Sequence, residues 1–320
     1  MTRNRTVRTY RAFGLAVASG VPLPGLPEAT SPVADLTLRS RPRRVGRDRL
    51  RAPRRVRLPD GRVAFTVARL GTRSLVRFGR LADFLVSRDG REIGCASRRR
   101  GSARVVAHLF LAQVIPLALS RQGRLVLHAS AVQTPVGAVA FLGPAGSGKS
   151  TLGASFVREA FPLLADDGLL LTEVHGTPAG VPSYPEIRLW PDACAALSSE
   201  GLPTGLGHPR GKRSIPAGQA RWPFGDGPVP VRRLYVLGEP AAGPGSEAVT
   251  IEPLTKREAF LELVRHSFRL DFDDRARLRK EFDRIAGIAA AVGLYRLSFA
   301  RDWSRLAAVR RAVLQHLAAA

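Results

Sequence analysis

The sequence GPAGSGKS at residues 143–150 matches the phosphate-binding loop pattern G-x-x-x-x-G-K-[ST] at every fixed position. The apolar run GAVAFL at residues 137–142 precedes it, is bounded by turn residues, and predicts a strand buried on both faces. Residues 151–160 follow it and predict a helix with its large apolar side chains on one face. The loop pattern is therefore met in the strand–loop–helix context in which it can bind a polyphosphate.

The residue types of this loop suit a nucleotide. Glycines allow backbone conformations in which successive N–H groups turn toward phosphate oxygens, and the start of the helix adds its positive dipole end. Lys149 would reach the outer phosphates, and the Ser150 hydroxyl would complete a Mg2+ coordination shell. The sequence thus predicts ATP and Mg2+ as cofactors. The predicted nucleotide contacts are Gly143, Ala145, Gly146, Ser147, Gly148, Lys149, Ser150 and Thr151.

Length and charge bear on the number of domains and on the class of partner. A chain of 320 residues favours two domains, or one large domain with an appendage. The net charge of +24 would ordinarily suggest a nucleic acid or an anionic membrane as partner. Only four of the 50 basic residues are lysines, however, and codon bias in a GC-rich genome produces such an arginine excess. We therefore treat the charge as partly background.

The cysteines and apolar runs favour a cytoplasmic protein. Cys95 and Cys194 are too few for a disulfide framework, and no Cys/His cluster has zinc spacing. The longest apolar run, residues 105–119, is interrupted by polar residues and a proline and is too short to span a bilayer. Residues 1–21 resemble a signal peptide only weakly. We expect no membrane partner.

The first part of the chain predicts a small β-rich domain over residues 1–100, with the catalytic domain over residues 101–320. An arginine-rich run at residues 39–57 predicts a solvated loop, and a docking surface for an anion is the alternative. This run has no aromatic residue that could stack on bases, which argues against a nucleic-acid partner. The predicted strands of this domain are 11–18, 34–38, 63–68 and 74–78.

Two further stretches carry candidate chemistry. Residues 125–132 predict a strand that contains His128, and a lone histidine on an apolar strand is more often a core residue than a catalytic one. A second apolar strand, beginning at residue 161, ends in Asp166 and Asp167. One of these carboxylates could hold Mg2+ and the other could accept the proton of an attacking hydroxyl; a structural Asp-Asp-Gly turn is the alternative.

Together these motifs resemble the catalytic domain of the HPr kinase/phosphorylase family, over about residues 125–195. The similarity is greatest to its shorter, HPr-kinase-like relatives, which are associated with ribosomally made modified peptides such as lasso peptides. The resemblance implies an α/β fold with a P-loop kinase domain of the HPr kinase / PEP carboxykinase type. His128 matches the family's histidine before the loop, and Asp166 and Asp167 match its aspartate pair, one of which is the base for the acceptor serine.

Residues 186–188, Glu-Ile-Arg, resemble the opening of another family motif, in which the glutamate assists metal binding. The next residues, 189–192, depart from the glycine-rich continuation and are similar to the Leu-Trp-Pro-Asp of the shorter relatives, which leaves Asp192 as an alternative ligand. The missing glycine-rich continuation favours kinase over phosphorylase activity. The implied metal ligands are Ser150, Asp167 and Glu186, and the implied catalytic residues are Asp166, Asp167, His128 and Lys149.

The later chain adds cationic candidates. A Gly/Pro-rich stretch at residues 201–227 predicts a long loop that holds Lys212 and Arg213, which could neutralise a transferred phosphate; an ordinary solvated loop is the alternative. Arg188 and Arg269 are further candidates for phosphate or substrate contacts. Predicted helices are 255–267, 274–292 and 303–317, and predicted strands are 229–237, 249–253 and 294–299.

The sequence therefore predicts an ATP-dependent serine kinase that acts on a peptide or a small protein. The alternative is a non-catalytic ATP-binding scaffold for a peptide-modification system, and the intact Asp166 and Asp167 argue against it. Full-length members of the family form rings; for this chain the sequence leaves the oligomeric state open, with a homo-oligomer as one alternative.

Overall fold

The computed structural model shows a mixed α/β chain. It describes residues 6–41, 43–46, 50–57, 61–97, 103–197, 206–207, 211–239, 249–270 and 274–319. The chain divides into two compact units, the first made of Met1–Arg124 and Arg269–Asp273, the second of Leu125–Phe268 and Asp274–Ala320.

The first unit is built on an eight-stranded sheet with the order β1-β2-β3-β8-β7-β6-β5-β4. Its pairs are antiparallel except β2 with β3 and β3 with β8. The strands are β1 (Arg8–Ala12), β2 (Leu15–Ser19), β3 (Leu36–Ser40), β4 (Arg51–Arg57), β5 (Val63–Leu70), β6 (Arg73–Phe78), β7 (Ala82–Val86) and β8 (Glu92–Ser97). This unit is β-rich, as expected.

Two predictions for this unit need correction. The strand predicted over 11–18 is a hairpin, because Phe13 and Gly14 both have positive φ (56° and 67°) and form its tight turn. The arginine-rich run is not all loop: Arg51–Arg57 forms β4, an edge strand whose residues are all exposed. An edge strand needs only backbone pairing on one side, and charged side chains there oppose unwanted pairing. Residues 42 and 47–49 of the run lie outside the described residues.

A helical segment completes the first unit. It runs through α1 (Ala103–Leu109), a π-helical turn (Phe110–Val114) and α2 (Ile115–Arg121). Phe110 stacks on Phe84 of β7, with ring centroids 6.3 Å apart, and Arg121 donates to Ser74 Oγ of β6 over 2.8 Å. These contacts are why the first unit extends to Arg124 rather than ending at residue 100. The segment extends beyond the apolar run 105–119 at both ends, so, contrary to the prediction, it is long and apolar enough to cross a membrane, although most of it is buried.

The second unit contains a nine-stranded and a three-stranded sheet within the described residues. Its strands are β9 (Leu125–Leu127), β10 (Ala129–Thr134), β11 (Gly137–Leu142), β12 (Leu163–Ala165), β13 (Leu169–Val174), β14 (Thr177–Val181), β15 (Glu186–Leu189), β16 (Leu206–Gly207), β17 (Arg213–Pro216), β18 (Val229–Leu237), β19 (Thr250–Pro253) and β20 (Gly293–Ser298). Its helices are α3 (Lys149–Val157), α4 (Pro191–Leu197), α5 (Lys256–His266), α6 (Arg275–Ala291) and α7 (Leu306–Ala318), the last preceded by a 3-10 turn (Trp303–Arg305).

The large sheet has the order β12-β10-β11-β18-β14-β13-β9, with β20 paired to β18 and β19 to β20. Both faces are covered. Val139 and Phe141 of β11 pack in one apolar cluster with residues of α3 and α7, whereas Ala140 and Leu142 pack in another with residues of α5 and α6. The prediction of a strand buried on both faces is confirmed.

Strand directions bring several chain segments to one edge of this sheet. β12 and β11 are both antiparallel to β10, so they run parallel to each other. β18 is parallel to β11, and β20 is parallel to β18. The carboxyl ends of β11, β12, β18 and β20 therefore lie at the same edge, together with the start of β10. This is the edge at which open α/β sheets bind ligands.

Most other predicted elements of this unit are confirmed with small shifts. The strand predicted over 125–132 is an exception, because it breaks at His128, whose N–H donates to His266 O over 2.6 Å. β9 then pairs with β13, while β10 pairs with β11 and β12. Within the predicted loop 201–227, β16 and β17 join β15 in the small sheet, and residues 201–205 and 208–210 lie outside the described residues.

Candidate active site

The loop at residues 143–150 connects the carboxyl end of β11 to the start of α3, as the sequence predicts. Gly143, Gly146 and Gly148 have φ values of 148°, 85° and 94°, in the region that side chains disfavour. A Cβ on Gly143 would also lie 2.7 Å from Ser147 Oγ. The loop conformation therefore requires glycine at these positions, and no atom lies within 4 Å of the position that a Cβ on Gly146 would take.

Lys149 lies between this loop and the sheet edge. Its side chain is buried, and Nζ donates to Gly143 O over 2.7 Å and to Pro144 O over 2.9 Å. Burial lowers the pKa of Lys149 to about 8, against the opposing effect of the Asp167 and Asp166 carboxylates. Lys149 is thus held against the loop and within the field of the two aspartates.

The aspartate pair follows β12 directly, and both side chains are buried. Asp166 Oδ2 accepts from Arg188 N–H over 3.0 Å, whereas Oδ1 has no hydrogen-bond partner among the described residues. Burial, and then the charge of Asp167, raise the pKa of Asp166. Asp167 has φ of 68°, and its carboxylate forms an ion pair with the Arg188 guanidinium. The two neighbouring carboxylates therefore have different surroundings.

His128 reaches the same pair from the start of β10. Its Nδ1 lies 2.9 Å from Asp167 O, and because a carbonyl can only accept, Nδ1 carries the hydrogen. Burial lowers the pKa of His128 to about 4, and the nearby Lys149 charge acts in the same direction. His128 is therefore neutral near pH 7 and ties β10 to the backbone of the turn that carries Asp167.

Glu186, one of the predicted metal ligands, and Asp192, its alternative, have different surroundings. Glu186 Oε1 accepts from Ser214 Oγ over 2.9 Å, and burial raises the pKa of Glu186. Asp192 is exposed in the first turn of α4. Nowhere in the part of the chain that the structure describes do three or more His, Cys, Asp or Glu side chains form a group that could hold a metal ion. The assignment of Ser150, Asp167 and Glu186 to Mg2+ stays a prediction.

The cationic candidates are separated by the fold. Lys212 Nζ lies 5.8 Å from the Trp190 ring centroid, and its charge acts on both Lys149 and Asp166. Arg213 is exposed on β17, and its charge acts on Cys194. Arg188 is the partner of Asp167, and Arg269 belongs to the first unit. The structure thus brings Lys212 to the electrostatic surroundings of Lys149.

Sequence reasoning missed Arg301, which lies beside the loop. Its Nη1 is 4.0 Å from the position that a Cβ on Gly148 would take, and its Nη2 donates to Gly238 O over 2.7 Å. It is separated from the loop by about 150 residues of sequence and stands in no motif. The one available indication was its place just after a predicted strand, because ligand-contacting residues often follow strands of α/β sheets.

Comparisons with known proteins add little at the level of sequence. No family model and no curated protein matches this chain. Among solved structures, the chain is similar to the Hpr(Ser) kinase/phosphatase from Coxiella burnetii, with 14% identity, 60% of this chain and 96% of that chain covered, and a TM-score of 0.35. A likeness of this size is distant, so the function proposed below rests on the residues of the site.

Proposed function

We propose that this protein is an ATP-dependent kinase that transfers the γ-phosphate to a serine hydroxyl of a peptide or small protein. The observation that carries the proposal is the position of Lys149, which contacts the backbone of the glycine loop while the Asp166 and Asp167 carboxylates act on its charge. A phosphate cradle beside a candidate base is the minimum that phosphoryl transfer needs.

The loop fits ATP. Its glycines leave the backbone accessible, and Ser147 Oγ is a buried hydroxyl with no hydrogen-bond partner among the described residues, which a phosphate oxygen would satisfy. Lys149 would leave the Gly143 and Pro144 carbonyls for the β- and γ-phosphates. Mg2+, when bound, would neutralise phosphate charge, and Ser150, Asp167 and Glu186 are the residues that would hold it.

The surroundings of the two aspartates favour different roles. Asp166 has a raised pKa, and its Oδ1 has no hydrogen-bond partner in the described part of the chain; both suit a proton acceptor. As the serine oxygen bonds to the γ-phosphorus and the bond from phosphorus to the bridging oxygen of ADP breaks, the serine proton would pass to Asp166. Asp167, fixed by Arg188, would supply constant negative charge. His128 would be a positioning residue, because it holds the Asp167 carbonyl.

The order of the motifs supports an HPr-kinase-like fold for the second unit. His128, the loop, the aspartate pair and the Glu186–Arg188 segment come in that order, and strand directions bring the first three to one sheet edge. A cytoplasmic location, where ATP is abundant, is part of the proposal. The acceptor class, a peptide or small protein, is taken from the resemblance in sequence motifs.

Phosphoryl transfer from γ-labelled ATP tests the proposal. Wild type with Mg2+ is offered a pool of serine-containing peptides and carrier proteins, beside Asp166→Asn, Asp167→Asn and the double variant. We expect label on serine with wild type, and a loss of about 10²–10⁴-fold for Asp166→Asn with ATP binding retained. Asp283→Asn, a change at an exposed carboxylate of α6, is the matched control and should behave as wild type.

Two outcomes would contradict the proposal, the first its kinase activity and the second its assignment of the base. Tight ATP binding without transfer to any acceptor would favour a nucleotide-binding scaffold. Full activity of the double variant would show that neither aspartate is needed for phosphoryl transfer.

A further inference from the structure

Arg301 is placed at the loop by the strand arrangement. β18 and β20 run parallel to β11, so the residues that follow these strands lie at the edge where the loop begins. Leu237, the last residue of β18, is next to the loop, since its Cβ is 3.4 Å from the position that a Cβ on Gly143 would take. Gly238 donates its N–H to Leu297 O of β20 over 3.0 Å. The segment after β20 is thereby fixed beside the loop.

The guanidinium of Arg301 is held on this segment by two contacts. Its Nη2 donates to Gly238 O over 2.7 Å, and its Cζ lies 4.4 Å from the centroid of the Phe299 ring, which is buried. The other terminal nitrogen, Nη1, is the atom nearest to Gly148, at 4.0 Å from its Cβ position. One edge of the guanidinium is thus used for anchoring, and the nitrogen on the loop side is left available.

Among the residues that the structure describes, which leave out 240–248, no carboxylate forms an ion pair with Arg301, although the charge of Glu239 acts on it. Burial lowers the pKa of Arg301 because it disfavours the charged form, and an anion bound at the loop would offset that effect. A positioned arginine without an ion pair beside a phosphate cradle is the arrangement expected of an anion ligand.

We propose that Arg301 is a nucleotide-binding residue that contacts the phosphates of ATP from the β18–β20 side of the loop. This rests on the proposed function. The aspartates lie on the opposite side of β11, because the sheet order is β12-β10-β11-β18 and β20 pairs with β18. The polyphosphate would therefore lie between Arg301 on one side and the aspartate pair on the other, with Lys149 at the loop itself.

Equilibrium titrations with ATP and with inorganic tripolyphosphate test this inference. Wild type is compared with Arg301→Gln and with Arg311→Gln, a control that removes one exposed arginine of α7. We expect Arg301→Gln to weaken both ligands by about tenfold or more, since a charge-assisted hydrogen bond is lost. Arg311→Gln should change neither. Arg301→Lys, which keeps the charge but not the fork, should show an intermediate loss.

Three other results of these titrations would overturn either the role of Arg301 or the proposed function. Equal affinity of wild type and Arg301→Gln for both ligands would overturn the role of Arg301 alone. Weaker binding of ATP with unchanged tripolyphosphate would move the contact from the phosphates to the nucleoside and overturn the inference as stated. A wild type that binds no ATP would overturn the proposed function itself. A thermal melt of each variant, followed by tryptophan fluorescence, separates loss of binding from loss of fold.

Discussion

At the scale of single residues, burial gives the ionisable groups of this site their properties. Lys149, Asp166 and His128 are each displaced toward their neutral forms, and in all three the loss of solvent is the largest cause. Perturbed groups of this kind gather at functional sites more often than elsewhere. The same burial makes the site sensitive to pH and to the removal of any one charge.

ATP affinity is expected to fall above pH 8. Lys149 in the free protein has a pKa of about 8, and bound phosphates would raise it. Binding therefore takes up a proton above that pH, and the dissociation constant should rise by up to tenfold per pH unit between the free and bound pKa values. Calorimetric titrations from pH 7.5 to pH 9.5 would show this. Lys149→Arg, which stays charged, should give a flat profile; a slope that persists in this variant would assign the effect to another group.

The Asp167–Arg188 pair is expected to be strongly coupled. Arg188→Met alone leaves two buried carboxylates without their cation and should cost about 3–5 kcal/mol of stability. Adding Asp167→Asn should restore much of that loss, and asparagine tolerates the left-handed backbone of this position. Urea unfolding of the two single variants and the double variant gives the coupling energy. Simply additive losses would show that the pair does not act as a unit.

The sequence could identify most of these residues but not their relationships. Lys149 and the aspartates were recognisable because each stands in a local motif. The pairing of Arg188 with Asp167, the bond from His128 to Asp167 O and the approach of Arg301 to Gly148 join distant segments. Only strand order and direction decide such contacts, and no local pattern encodes them.

At the scale of elements, the contact between α3 and β10 determines how closely the loop helix lies on the sheet. Gly153 faces Ser130, and a Cβ on Gly153 would lie 2.3 Å from Ser130 Oγ. That hydroxyl is buried and has no hydrogen-bond partner among the described residues. The glycine in the middle of α3 is therefore explained by packing, although it lowers helix propensity.

Two glycine-to-alanine substitutions, which are expected to change the free energy of unfolding in opposite directions, test this contact. Gly153→Ala should destabilise by about 1–3 kcal/mol because it overfills the contact. Gly287→Ala, in exposed α6 with nothing within 4 Å of the added Cβ, should instead stabilise by up to about 1 kcal/mol. Ser130→Ala should partly rescue Gly153→Ala by removing the hydroxyl. A Gly153→Ala variant as stable as wild type would mean that α3 does not lie this close to β10.

Elements with a strong period or clear caps were predictable. β11 and α5 follow their patterns, and a capping box of Thr255 and Glu258 marks the start of α5. β4 was not predictable, since its exposed arginines show no alternation and its pairing with β5 decides the structure. The break at His128 was also hidden, because residues 125–132 form one mostly apolar run, whereas β9 and β10 pair with different strands.

At the scale of the whole molecule, tryptophan fluorescence can follow one of the two units separately. All three tryptophans, Trp190, Trp222 and Trp303, belong to the second unit, which also contains the loop. Tryptophan fluorescence therefore follows the unfolding of the nucleotide-binding unit alone.

ATP is expected to shift that fluorescence transition. A ligand that binds only the folded state at 100 times its dissociation constant adds about 2.7 kcal/mol of stability. The fluorescence midpoint should rise with ATP concentration, and Arg301→Gln should need more ATP for the same shift. A midpoint that ATP leaves unchanged at saturating concentrations would mean that ATP does not bind the folded second unit.

Equilibrium binding of Mg2+ and ATP to wild type and to Lys149→Gln, with Lys256→Gln as a control at an exposed lysine of α5, tests the central claim most directly. We predict one bound nucleotide per chain, at least about tenfold weaker binding by Lys149→Gln, and unchanged binding by Lys256→Gln. A wild type that binds no ATP, or a Lys149→Gln variant that binds it as tightly as wild type, would contradict the assignment of residues 143–150 as the nucleotide site.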